Sequence, residues 1–335
     1  MSKDVIICAI ESSCDETAVA FIKNGNEVLS NIVSSQIDIH QRFKGVMPEI
    51  ASRLHVEQIS IVIKQAIQQA NVEWDEVDAI AFTQGPGLIG SLHTGALAAK
   101  ALSWYFNKPL LPIHHIVGHI YANAFIDPLQ FPLLALVVSG GHTELVYMKD
   151  HYDFEVLGAT LDDAVGESYD KVARMLDLGY PGGPIIDQLA KKGKENYKLP
   201  MVKTENPLDF SYSGIKSAVY NLTQKLQKNN IEVNKEDLAY AFQEAALSQL
   251  IDKTKLAIEN SDVKHVVLAG GVAANKRLRE MLTELVDQYP NIALTIPPMW
   301  CCTDNAAMIG AAAKVAYDKK FFGDLSVGVK ANLKM

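Results

Sequence analysis

His115 and His119 stand four residues apart in Ile113-His114-His115-Ile116-Val117-Gly118-His119. That interval is close to one helical turn, so both imidazoles fall on one face of a helix and can grip one metal ion. Ordinary polar histidines at a helix start would show the same spacing. A zincin peptidase carries Glu directly after its first His as general base. Ile116 holds that position here, which speaks against peptidase chemistry. A third ligand must come from elsewhere, and Asp304 is the attractive candidate. Thr303-Asp304-Asn305 precedes the Ala-rich run Ala306 to Ala316, so the carboxylate opens a helix, as a plain capping acid or as a ligand. Two His and one carboxylate with open positions form a common Fe(II) or Zn arrangement. Open positions let the ion act as a Lewis acid on a bound substrate.

Three glycine turns suit phosphate: Ser139-Gly140-Gly141, Gly182-Gly183-Pro184 and Gly270-Gly271. Glycine lets the backbone approach closely, and free N–H groups at a helix start point at the anion. Pro184 suits the first helical position, with the N–H groups of Ile185 to Asp187 opening toward Gly183. Tight turns need glycine for their own geometry too. Three such turns in one chain, two at equivalent points of a repeat, favour a nucleotide. No Gly-Lys-Ser/Thr follows a glycine loop, so there is no Walker A site. Glu11, Asp15 and Glu16 crowd the first turn of the chain, either as solvated turn acids or as a proton acceptor and polar wall beside a ligand.

The elements that must hold these residues occur twice. Val5 to Ile22 reads as strand, polar turn, strand, and Leu133 to Met148 repeats the plan. Each hairpin is followed by a helix and later by a strand, a Gly-rich turn and another helix. The strands are Ala79 to Phe82 and His265 to Leu268. The same order twice predicts a duplicated α/β protein with its ligand in the cleft between the halves. The expected first lobe is 1–131, with a C-terminal helix from 305–335 packing back on it. The expected second lobe is 132–304, with an insertion from about Asp150 to Asn234. Val165, Tyr169, Val172, Ala173 and Leu176 share a helix face, with Gly179 fitting the position just past its end. Leu238, Phe242, Ala246 and Leu250 form a second buried stripe.

The chain has 335 residues, is 48% hydrophobic and 21% charged, and carries a net charge of −8. A core of that size needs no disulfides. Cys8, Cys14, Cys301 and Cys302 form no Cys-x-x-Cys pair, against a zinc ribbon or thioredoxin-type site. Glu11 cuts short the apolar run that starts at Val5, so it reads as a strand rather than a signal segment. No apolar run approaches the ~20 residues of a membrane span, and a cytoplasmic protein is expected. Negative net charge does not announce nucleic acid; a partner of that kind would need a local basic face. Candidates are Lys191, Lys192, Lys194 and Lys198, then Lys276, Arg277 and Arg279, then Lys319, Lys320, Lys330 and Lys334.

Six motifs together resemble the TsaD family across essentially the whole chain. They are Ile10 to Thr17, the His115–His119 pair, Val138-Ser139-Gly140-Gly141-His142-Thr143, Tyr180 to Pro184, Phe210-Ser211-Tyr212-Ser213-Gly214-Ile215-Lys216 and Ala269 to Asn275. That resemblance implies the actin/Hsp70/sugar-kinase (ASKHA) fold. It also implies transfer of a threonylcarbamoyl group from threonylcarbamoyl-AMP to N6 of adenosine 37 in tRNAs reading ANN codons, giving t6A and AMP. By matching motif, His115, His119 and Asp304 would hold one divalent metal, usually described as iron, with zinc or manganese chemically possible. Val137, Val138, Ser139, Gly140, Gly141, Asp170, Gly183, Asp187 and Asn275 would bind the adenylate. Asp15 or Glu16 would accept the amine proton. Archaeal and eukaryotic relatives place a tyrosine ligand just before the Ser-Gly-Gly turn, where this sequence has Val137 and Val138. The Ser-Gly-Gly-His form, with His142, resembles bacterial members, which work with TsaB and TsaE on the tRNA anticodon loop. The old family label, O-sialoglycoprotein endopeptidase, and a nucleotide-gated scaffold or chaperone are the alternatives.

Overall fold

Two apolar runs, Ile6–Glu11 (β1) and Leu133–Val138 (β6), are the central strands of two sheets, and every residue of β6 is buried. Continuous apolarity is what a strand covered on both faces requires. The computed structural model describes residues 3–335. The first sheet adds β2 (Glu16–Lys23), β3 (Glu27–Ser35), β4 (Ala79–Gly85) and β5 (Leu110–His114), in the order β3-β2-β1-β4-β5. The second adds β7 (Thr143–Asp150), β8 (Asp153–Ala159), β9 (His265–Ala269) and β10 (Ala293–Thr295), in the equivalent order β8-β7-β6-β9-β10. In each sheet the first three strands in chain order run antiparallel, and the later two join in parallel. Duplication is therefore a property of the fold itself.

The helices are α1 (Ile37–His40), α2 (Pro48–Ala70), α3 (Ile89–Phe106), α4 (His115–Tyr121), α5 (Val165–Met175), α6 (Gly182–Ala190), α7 (Ser213–Lys228), α8 (Lys235–Glu259), α9 (Lys276–Val286), α10 (Met299–Cys302) and α11 (Ala306–Asp318). Strand alternation sorts the core of the first sheet. Cys8, Ile10, Val19 and Phe21 join Val62 and Ala66 of α2 and Ala96 and Ala99 of α3. The opposite face, including Ala9 and Ile22, receives α11. Asn side chains start three helices. Asn234, Asn275 and Asn305 accept from the N–H groups of Asp237, Leu278 and Met308 at 2.9, 2.9 and 3.1 Å.

The chain divides into two compact units, one formed by the chain up to Leu129 with Pro297–Met335, the other by Gln130–Ile296. Several expectations change. Pro297 to Asp304, assigned above to the second lobe, belongs with the first unit. The stretch read as an insertion from Asp150 begins with β8, a strand of the second sheet; the extra elements α5 to α7 follow it. Both third strands, β3 and β8, escaped notice because they are half-exposed edge strands without a clean apolar alternation. Helix α5 closes on Asp177 in the left-handed conformation (φ 50°), not on Gly179. Helix α6 starts at Gly182, so Pro184 is its third residue rather than its first. Among the described residues, no helix is long and apolar enough to cross a membrane.

Candidate functional site

In the first unit, β5 ends at His114 and α4 begins at His115, so the two metal-ligand candidates ride one turn apart on a short buried helix. Gly118 lies between them. A Cβ there would come within 2.8 Å of Ile309 Cδ1, so the glycine lets α11 approach α4 closely. Asp304 lies two residues before α11, and Asn305, not Asp304, supplies the helix cap. Asp304 Oδ1 lies 3.1 Å from His119 Nε2 and 3.6 Å from His115 Nε2. All three donor atoms fall within 4.8 Å of one another. Ligands about 2.1 Å from a common ion are at most about 4.2 Å apart, so both Asp304 distances suit a shared ion. His115, His119 and Asp304 could hold one metal ion.

Behind His115 sits Glu11, which is fully buried. Its Oε2 lies 3.2 Å from His115 Nδ1, and it accepts from Thr83 Oγ1 and from the Ser13 N–H, each at 2.5 Å. A carboxylate on the far nitrogen of a ligating imidazole fixes its tautomer and orientation. Burial alone would push the Glu11 carboxyl up, but the facing His115 holds it below the usual carboxylate range. Burial likewise works against a charged His115, yet Asp304 and Glu11 override it and raise the ring to about 9. Glu11 is therefore a buried carboxylate placed to orient His115, not the solvated turn acid considered above. Asp15 and Glu16 lie at the β1–β2 turn and the start of β2. Burial, with Asp304 and Asp15 nearby, pushes the Glu16 carboxyl up to about 10. Asp15 and Glu16, the two proton-acceptor candidates, are thus neighbours at the turn that follows β1.

In the second unit, Val137 and Val138 are buried at the end of β6. Ser139 closes the following turn, its Oγ accepting from the Gly141 and His142 N–H groups at 3.3 and 2.9 Å. The glycines separate into two kinds. Gly270 has φ +92°, and a Cβ would collide with the Val138 carbonyl oxygen, so its role is conformational. Gly140, Gly141, Gly183 and Gly271 have no left-handed φ, and an added Cβ would meet nothing within 4 Å. Neither backbone nor packing demands glycine at these four positions.

Asp170 occupies the start of α6, accepting from the Gly182 N–H at 2.7 Å. That bond takes up the Gly182 N–H, ahead of the Ile185 to Asp187 N–H groups considered above. Asp187 pairs with Lys191 at 2.6 Å through Oδ2, while its Oδ1 is buried without a partner. Asp187, Gln243, Glu244 and Lys276 line a cavity of about 220 Å³. Asn275 caps α9, and its Nδ2 donates to Gln243 Oε1 at 3.0 Å. Gln243 was missed; a buried polar residue beside the apolar stripe of α8 was the available signal. Arg277 pairs with Glu244 at 2.9 Å, and Arg279 Nε donates to the Ala273 carbonyl at 2.6 Å, so that basic cluster is largely spent internally.

Two units of identical strand order, one bearing a three-donor cluster and the other a set of open glycines, define a protein of the actin/Hsp70/sugar-kinase (ASKHA) class. Among solved structures, HypF from T. kodakarensis matches with TM-score 0.64 at 15% identity, over 95% of this chain and 48% of that one. Component A of (R)-2-hydroxyglutaryl-CoA dehydratase from Acidaminococcus fermentans matches with TM-score 0.53 at 16% identity, over 95% and 99%. Those likenesses are of fold alone. The TsaD family model, described as tRNA N6-adenosine threonylcarbamoyltransferase, matches residues 27–311. Proteins of that name from Bacillus cereus and Bacillus subtilis are 55% and 53% identical, covering 95% and 99% of this chain and 93% and 96% of theirs. The chain belongs to the TsaD family of transferases.

Proposed function

We propose that the chain transfers the threonylcarbamoyl group of threonylcarbamoyl-AMP to N6 of adenosine 37 in tRNAs reading ANN codons, forming t6A and releasing AMP. The observation that carries this reading is the convergence of His115, His119 and Asp304 within 4.8 Å, in a chain of this family. When bound there, the ion, Fe(II) in this reading with zinc or manganese as chemical alternatives, supplies a Lewis acid for the carbamoyl carbonyl. Glu11 keeps the His115 Nε2 lone pair turned toward Asp304.

The second unit holds the adenylate in this reading. Gly140, Gly141, Gly183 and Gly271 let it lie against bare backbone. Val137, Val138 and Ser139 set the position of the first glycine turn, and Asp170 that of the second. The buried, unpartnered Asp187 Oδ1 suits a hydroxyl donor such as a ribose. Asn275 retains a second Nδ2 hydrogen beyond the one given to Gln243. Phosphate held by N–H groups makes AMP a good leaving group. Adenine N6 is a poor nucleophile because its lone pair is delocalised, and the proton it sheds goes to Asp15 or Glu16 in this reading. An anticodon-loop base is unpaired and costs little to present.

TsaB-like and TsaE-like proteins are the partners in this reading, in the cytoplasm where tRNA is modified. Leu97, Trp104 and Tyr105 of α3 are 63%, 74% and 75% exposed, apolar surface of the kind a partner covers. A net charge of −8 makes a partner's basic surface useful for tRNA.

The test is a reaction with threonylcarbamoyl-AMP, unmodified tRNA and the partner proteins, followed by nucleoside mass spectrometry. The wild type should form t6A, and a His115→Ala/His119→Ala double variant should lose it. Full activity in the double variant, or none in the wild type, would sink the reading. The old endopeptidase label has no support in the site, because the acid nearest His115 is buried Glu11, committed to Thr83 and Ser13.

A further inference from the structure

We propose that the C-terminal segment Gly328 to Leu333 is a strap that positions the metal-binding helix α4, and that His114 is the positioning residue through which it acts. The proposal rests on the reading of His115, His119 and Asp304 as a metal site.

The contacts run in order along the segment. Gln84 Nε2 donates to the Gly328 carbonyl at 3.0 Å, and the Lys330 N–H donates back to the Gln84 carbonyl at 2.9 Å. The Gly87 N–H donates to the Ala331 carbonyl at 3.1 Å. His114 Nε2 then donates to the Leu333 carbonyl at 3.1 Å. The fit against the Gly85-Pro86-Gly87 turn is close, since a Cβ on Gly85 would collide with the Lys330 carbonyl oxygen. Gly85 has φ +155°, so both its conformation and the tail's approach depend on glycine.

His114 passes this on in a definite way. Leu333 offers only an acceptor, so Nε2 must carry the ring proton, and Nδ1 is left with a lone pair. That lone pair accepts the Ile116 N–H at 3.2 Å, which caps the start of α4. One tail carbonyl thus selects the tautomer that caps the helix holding His115 and His119. A second route reaches the same ligand. The Leu88 N–H donates to the Ser13 carbonyl at 2.7 Å, and a Cβ on Gly87 would come within 2.5 Å of that oxygen. Ser13 Oγ in turn lies 3.2 Å from His115 Nδ1. The turn that the strap grips is the one that seats Ser13 behind His115.

Geometry of this kind acts on ligand position rather than on reacting atoms. Groups behind metal ligands are typically worth about 10–100-fold in metal affinity. The experiment uses two variants of the full protein: a chain ending at Asn332, which removes the acceptor for His114 together with the Leu333 side chain packed near Gly85, and His114→Asn, which can still cap the helix but cannot reach the tail. Each is titrated with Co(II), read by its visible absorption, and α4 is read independently by hydrogen exchange of the Gly118 and His119 amides. Both variants should bind Co(II) about 10-fold or more weakly with an altered absorption band, and the two amides should exchange faster. Wild-type affinity, band shape and exchange in the shortened chain would overturn the proposal, whatever the folding of His114→Asn. The metal reading fails separately: in that case wild type itself shows no saturable Co(II) binding that His119→Ala removes, while the amide exchange still reports whether the strap holds α4.

Discussion

His115 is held between two carboxylates, with Glu11 on Nδ1 at 3.2 Å and Asp304 on Nε2 at 3.6 Å. Only the second can share an ion with it; the first aims it. Glu11→Gln should therefore weaken metal binding by about 10–100-fold without abolishing it, because an amide oxygen still reaches Nδ1. Zinc or Co(II) titration checks this, and unchanged affinity would contradict the orienting role. Glycines give a second prediction at this scale. Gly140→Ala and Gly183→Ala place a methyl group in open space, so thermal stability should stay within about 0.5 kcal/mol of wild type. Affinity for AMP or an adenylate analogue should nevertheless fall, since the methyl group would fill ligand space. Gly166→Ala is the control for packing, because its Cβ would come within 2.6 Å of the Ser139 carbonyl oxygen and should cost stability instead.

At the element scale, α2 is tied to the β1–β2 turn by His55, which is fully buried. Its Nε2 donates to the Cys14 carbonyl at 2.9 Å, so its Nδ1 accepts from Thr17 Oγ1 at 2.7 Å. In the neutral ring both nitrogens are satisfied, one as donor and one as acceptor. Burial accordingly lowers its pKa below the ordinary 6.5. The unfolded chain binds that proton more readily, so this contribution is intact above about pH 6.5 and lost as pH falls below it. Between about pH 7.5 and about pH 5.5, the melting temperature of His55→Gln should drop less than that of wild type. Equal drops would show that His55 does not titrate with unfolding. The short α4 depends on its neighbours in the same sense: at seven residues it has little stability of its own. Its packing on α11 and its cap at His114 hold the two imidazoles in register.

For the whole molecule, the metal donors all belong to one unit and the open glycines to the other. A His115→Ala/His119→Ala variant should thus keep wild-type affinity for AMP while losing metal, measured by calorimetry and metal analysis. Loss of both together would show that the two sites are not separately built. Much of this was legible in the residues. The two hairpins, the two later strands, the His pair and the glycine turns lie within short windows, where periodicity and spacing report local geometry directly. The half-exposed β3 and β8 were not legible, because edge strands carry little apolar alternation. Neither was the start of α6, where two glycines precede Pro184. Asp304 shows the limit most clearly. As a residue before an Ala-rich helix it read equally as a cap or a ligand. Asn305 takes the cap, and the close approach of α11 to Gly118 brings the Asp304 carboxylate 3.1 Å from His119, across 185 residues of chain. The sequence by itself determined which donors and turns exist, because those depend on neighbours a few residues apart. Only the tertiary structure decided that Glu11 aims His115 and Asp304 completes the cluster, because both contacts depend on how separate elements pack.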